Sequence, residues 1–189
     1  MDATSPSMMD EQLTVLRDVV GRLASAGVPC MLTGSHALAV WGHPRMTRDI
    51  DFVIEADQSG VARFLDACAA DCYADPEAAA DAVARGTFFN VIHKPTILKL
   101  DFIMRRDEPF EREKFGRRVS MTFGGVSVDV ITAEDLILSK LQWAAPTGSA
   151  RQMEDVRTLR RSAVGLDEAY LARWAPILGV AEQLRATDA

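Results

Sequence analysis

The chain has no long apolar run. Its hydrophobic stretches are broken by Arg, Asp or Gly within ten residues, too soon for a helix that crosses a bilayer. Cysteine is scarce, at positions 30, 68 and 72 only. A structural zinc site needs about four Cys or His ligands in paired spacing, so the three read as reduced, buried thiols, with Cys68 and Cys72 expected on one helix face. Positive charge is not in excess: 21 basic against 27 acidic residues gives a net of -6, which excludes a protein that coats long nucleic acid by bulk electrostatics. Glycine-rich nucleotide fingerprints of the Rossmann or P-loop kind are missing, as are repeats, low-complexity tracts and linkers. The opening "MDATSPSMMDEQ" lacks the basic and apolar regions of a signal peptide, so a cytoplasmic protein without a membrane segment is expected.

With 48% hydrophobic and 25% charged residues in 189, the composition is globular and the length suits one domain with a helical extension. "EQLTVLRDVVGRLASAGV" has apolar residues at helical spacing and a glycine stop at Gly27. "PCMLTG" reads as a buried strand, "SHALAVWG" as a helix capped by Ser35, and "DIDFVIE" as a strand. Helices follow over "DQSGVARFLDACAA" and "PEAAADAVARG", with Pro76 in the first turn. "TFFNVIHK" and "TILKLDFIMR" form strands about Lys94-Pro95, and "RRVSMTF" with "VSVDVI" forms a hairpin about Gly124-Gly125. Thr132 and Asp135 cap the helix "AEDLILSKLQWA", "APTGSA" is a loop, and helices near 151–162, 167–175 and 177–186 close the chain. The expected class is α+β, a mixed and mostly antiparallel sheet flanked by helices. Residues 1–131 would form the core with its N-terminal helix, and residues 132–189 a helical part packed on it as one compact unit. The basic residues Arg105, Arg106, Arg112, Lys114, Arg117 and Arg118 are interleaved with acids and read as a solvated face.

One stretch carries chemistry: "MLTGSHALAVWGHPRMTRDIDFVIE", Met31 to Glu55. Asp49 and Asp51 stand at i and i+2 of a strand and point from one face, while Ile50, Phe52 and Ile54 point from the other. Adjacent carboxylates repel; a divalent cation with oxygen ligands removes the conflict, and Mg²⁺ is typically held by one or two carboxylates plus substrate phosphates. Asp101 interrupts the apolar strand "ILKLDFIMR" in the same way. If the two strands are neighbours, three carboxylates converge, enough for two metal ions that clamp an in-line phosphoryl displacement. Gly34 lets backbone approach a ligand, Ser35 heads a helix whose first amides attract anions, and Arg45 and Arg48 add cationic groups. His36 reads as a capping-region or surface histidine, Trp41 as either core or a base-stacking ring, and Asp129 as a strand carboxylate near a sheet edge.

Strand, Gly34-Ser35, helix, then Arg45-x-Thr47-x-Asp49-x-Asp51 resembles the nucleotidyltransferase superfamily with the DNA polymerase β-like fold. The Arg45-x-Thr47-x-Asp49 element is similar to the AbiEii-type abortive-infection nucleotidyltransferase toxins and related small bacterial nucleotidyltransferases. "VDVITAEDLILSKLQWA" and "RQMEDVRTL" resemble that group's later Lys and Asp motifs, except that Glu154 stands where the group usually has Lys. The resemblance implies that Asp49, Asp51 and Asp101 are catalytic and hold two Mg²⁺ ions. It implies that Gly34, Ser35, Arg45 and Lys140 contact an NTP, and that Asp155 supports the site. It further implies transfer of an NMP to an acceptor hydroxyl. A tRNA 3′ end is one acceptor, for a toxin with a cognate antitoxin; the alternative is a small cationic molecule of the aminoglycoside or lincosamide kind. A non-catalytic nucleotide-binding module of the same fold is the reading from another class. From the residues alone, Lys140 is equally a solvated helix lysine, and Asp155 an (i, i+4) partner of Arg151.

Overall fold

The structure is a computed structural model, and it describes residues 7–42 and 47–187. The described elements are α1 (Met8–Ser25), β1 (Cys30–Thr33), α2 (Gly34–Val40), β2 (Asp49–Ile54), α3 (Gln58–Cys68), β3 (Cys72–Ala74), α4 (Pro76–Arg85), β4 (Phe88–His93), β5 (Leu98–Met104), α5 (Pro109–Gly116), β6 (Val119–Phe123), β7 (Val126–Val130), α6 (Ala133–Thr147), α7 (Ala150–Ser162), α8 (Glu168–Ile177) and α9 (Ala181–Arg185). The strands form one sheet in the order β3-β4-β5-β2-β1-β7-β6. Pairings β2–β5 and β1–β7 are parallel and the other four antiparallel. The sheet is therefore mixed and mostly antiparallel, as the hairpin signals predict. No described helix is long and apolar enough to cross a membrane.

Alternation decides which face each strand buries. In β2, Ile50, Phe52 and Ile54 are fully buried; in β5, so are Leu100 and Phe102. Phe102 is the centre of this layer. Its ring stacks on Phe52 at 5.6 Å and on Phe89 at 5.2 Å, and meets Phe64 edge-on at 4.9 Å. α1 and α3 cover this face with Leu16, Leu23, Val61 and Phe64. The opposite face of β2 and β5 carries Asp49, Asp51, Lys99 and Asp101, followed by the apolar Val53 and Ile103.

Local chemistry accounts for most element ends. Ser7 and Asp10 form a reciprocal capping box on α1, Asp57 and Asp75 cap α3 and α4, and Thr132 caps α6 by accepting from the Asp135 amide. The C-terminal helices are tied to the sheet through Asp135, which is fully buried. It accepts from Thr132 Oγ1 at 2.7 Å, Tyr170 Oη at 2.5 Å and Arg117 Nε at 3.2 Å.

Several expectations are corrected. Cys68 ends α3 and Cys72 opens β3, so they do not share a helix face; all three cysteines are free, with Cys68 and Cys72 buried. Strand β3 and helix α5 have no counterpart in the sequence reading. "APTGSA" is not all loop, because α6 runs to Thr147 with Pro146 in its last turn. The helix then ends at Gly148, in the left-handed conformation, φ 63°. β7 is an inner strand, with β6 outside it, so Asp129 is not on the edge strand; it accepts from Arg118 Nε at 3.0 Å and from Ser120 Oγ.

Candidate functional site

The parallel pairing of β2 and β5 sets Asp51 directly across from Asp101, and Asp49 across from Lys99. The antiparallel pairings extend that row to Thr33 on β1 and Asn90 on β4. Four strands thus contribute one line of polar residues, in the order Thr33, Asp51, Asp101, Asn90. Two residues further along the strands, a parallel row is apolar: Val53, Ile103 and Phe88.

Gly34 follows Thr33 and abuts this row. Its φ is +63°, and a Cβ there would lie 2.7 Å from Asp51 Cγ and 3.0 Å from Asp51 Cβ. No L side chain fits, so glycine is needed for both conformation and clearance. α2 begins here, with Thr33 at the N-cap and no side-chain cap. Ser35 is therefore not the capping residue; it is buried within the first helical turn.

Asp51 sits in an unfavourable electrostatic position. Burial, then the neighbouring Asp101 and Asp49 carboxylates, push its pKa up from 3.8 to about 6, against the opposing pull of Lys99 and Lys140. Asp101 is better supplied: Lys99 Nζ lies 2.8 Å from Oδ2, and Asn90 Nδ2 donates to Oδ1. Lys99 is held above the ordinary lysine range, first by that hydrogen bond.

These groups open into a cavity of about 690 Å³ between the sheet face and α6, a size usual for small-molecule sites. Of the residues singled out in the sequence, Gly34, Ser35, Asp51, Asp101 and Lys140 line it. Asp49 is not among its described lining residues, and Asp155 stands behind Lys140, whose Nζ donates to Asp155 Oδ2 at 2.7 Å and to Gln152 Oε1 at 3.0 Å. Lys140 is thus not a solvated lysine: its side chain is 6% exposed and that of Asp155 9%. Arg45 lies outside the described residues.

Three other expectations change. His36 is buried, not at the surface, and burial holds its imidazole below the ordinary histidine range. Trp41 is anchored structurally, its Nε1 donating to the Ile131 carbonyl at 2.9 Å. The basic cluster of 105–118 is not a solvated face throughout. Arg105 pairs with Glu55 at 2.5 Å, Arg117 with Asp135 at 3.2 Å, and Lys114 is buried in the cavity wall, 2.8 Å from Glu111.

Sequence reasoning missed Lys99, Asn90, Glu111 and Lys114. Lys99 had a signal, since it stands two residues before Asp101 in an alternating strand and must share its face. Glu111 and Lys114 are three apart just after Pro109, the spacing of a helical pair.

Among the described residues, no group of three or more His, Cys, Asp or Glu side chains is gathered in a metal-holding arrangement. The donor set nevertheless suits a hard divalent cation. Its oxygens come from carboxylates on neighbouring strands, and burial together with the Asp101 and Asp49 charges raises the pKa of Asp51, a conflict that a bound cation relieves.

The family model described as "Nucleotidyl transferase AbiEii toxin, Type IV TA system" matches residues 20–177. No curated protein matches the chain in sequence. Among solved structures, an antigenic nucleotidyltransferase-like protein from Paracoccidioides brasiliensis superposes with a TM-score of 0.60 at 16% identity, covering 94% of this chain and 92% of that one. ANT(2")-Ia, in a crystal structure with adenylyl-2"-tobramycin, gives 0.59 at 14% identity, over 95% and 99% of the two chains. JHP933 from Helicobacter pylori gives 0.51 at 20% identity, over 97% and 80%. At these identities the likeness is one of fold.

Proposed function

The chain belongs to the AbiEii nucleotidyltransferase toxin family, and on that footing we propose that it moves a nucleoside monophosphate from an NTP to an acceptor hydroxyl. The observation that carries the reading is the pairing of Asp51 with Asp101 on the cleft floor, against a glycine that leaves no room for a side chain.

In this reading the triphosphate lies along the start of α2, where the Gly34 and Ser35 amides and the positive end of the helix favour anions, and Lys140 faces it from α6. The acceptor oxygen attacks the α-phosphorus; the new O–P bond forms as the bond to the β-phosphate bridging oxygen breaks, and pyrophosphate leaves. Asp101 receives the acceptor's proton, oriented by Asn90 and Lys99. Asp49, Asp51 and Asp101 would hold Mg²⁺, two ions in all, which when bound neutralise phosphoryl charge and acidify the acceptor hydroxyl. The protein's own contribution is position and preorganised charge. Arg45 adds to the phosphate contacts and Asp155 keeps Lys140 in place.

The family description supports a toxin with a cognate antitoxin partner; our reading of the acceptor is a tRNA 3′ end, met in the cytoplasm. Transfer of adenylate to a small cationic molecule is the second reading, drawn from the fold shared with ANT(2")-Ia. The test is equilibrium binding of each NTP with and without Mg²⁺, to wild type and to Asp49→Ala/Asp51→Ala. Mg²⁺-dependent binding that the double variant loses is expected; binding indifferent to both would overturn the site.

A further inference from the structure

Trp143 has no role in the reaction described above. It is 64% exposed, against 7% for Trp174, and the indole of Trp41 is tied to Ile131. Among the described residues no ring contact or side-chain hydrogen bond engages it, yet it lines the cavity beside Gln142 and Pro146. An indole left open to water inside a cleft is a surface with stacking capacity.

Its position relates it to the phosphate end. Trp143 is three residues after Lys140, about 4.5 Å further along the same face of α6, and both side chains line the one cavity. A ligand whose polyanion meets Lys140 and the Gly34-Ser35 turn has Trp143 within reach of its next planar group. An NTP has that composition: a triphosphate and an aromatic ring joined by a ribose.

Among the described residues, the other open ring lining the cleft is Phe88, 60% exposed. It is on β4, and in the strand order β1, β2, β5, β4 it lies beyond Asp101 as seen from Gly34. In the proposed reaction Asp101 takes the acceptor's proton, which assigns that side to the acceptor and sets the two rings apart.

We infer that Trp143 is the seat of the donor nucleobase, and that it holds the base by stacking. Every base offers a π-face, so this contact contributes affinity and little identity. The inference rests on the proposed use of an NTP.

The experiment compares ATP with inorganic tripolyphosphate, both with Mg²⁺, on wild type, Trp143→Ala, Trp143→Phe and Phe88→Ala. Tripolyphosphate has the charge and lacks the base. Trp143→Ala is expected to weaken ATP about five- to a hundredfold and to leave tripolyphosphate binding as it was, with Trp143→Phe largely restoring ATP. ATP should also quench the exposed tryptophan emission of the wild type, and tripolyphosphate should not. Equal losses for the two ligands, no loss for either, or a base-dependent loss confined to Phe88→Ala would overturn the assignment. If neither ligand binds the wild type, the functional reading itself fails and takes this inference with it.

Discussion

Replacing Asp51 with Asn should make the folded protein more stable while removing its proposed activity. The carboxyl is held at about 6 in the fold against 3.8. The folded-state pKa of this acid is raised, so ionisation opposes folding. The cost is absent below the unfolded pKa, grows as pH climbs from about 4 to 6, and is constant above. At roughly 1.4 kcal/mol per pH unit, and discounted for partial exposure to water, it amounts to about 1–3 kcal/mol at neutral pH. Asn has the same shape and fits the space that Gly34 leaves. Urea denaturation without divalent cations, run from pH 7.5 down to pH 4.5, should show Asp51→Asn more stable by that amount at the top of the range, with the difference shrinking as pH falls. Mg²⁺ should then stabilise the wild type more than the variant. A variant less stable than wild type at pH 7.5, or a gain that does not change with pH, would refute the electrostatic account of this position.

Other consequences follow from packing and pairing. Gly34→Ala drives a Cβ against Asp51 at a left-handed φ and should cost at least about 1–3 kcal/mol, together with nucleotide binding; thermal melts and an NTP titration read both. Lys140→Ala leaves the buried Asp155 without its 2.7 Å partner and should lose about 3–5 kcal/mol in urea, much of which Lys140→Met with Asp155→Asn should recover without recovering transfer. Phe102→Ala empties the middle of a four-ring cluster and should cost about 3–5 kcal/mol by the same assay.

The carboxylate floor was legible because strand alternation is a strict rule. Asp49 and Asp51 had to share a face, and Asp101 had to oppose the buried Leu100 and Phe102. What made them a site was the parallel pairing of β2 with β5, for which the sequence carries no local signal. Gly34 was legible as a point of close approach, but not that Asp51 would be the group approaching. Ser35 reads as a cap in the sequence because Ser before a helical pattern usually is one; in the structure the helix starts a residue earlier, at a glycine with positive φ. Lys114 and Glu111 were hidden among exposed charges, since a buried ion pair on a short helix has the same composition as a solvated one. Arg45, central to the motif in the sequence, lies outside the described residues.

The acids of this cleft are proposed to support transfer of a nucleotide from an NTP. The most direct measurement is incorporation of label from each α-³²P-NTP, with Mg²⁺, into total tRNA and into a panel of aminoglycosides, with Asp49→Ala/Asp51→Ala as the control. A labelled acceptor is expected in one of the two pools, and none with the double variant. Labelling that persists in a folded double variant would contradict it.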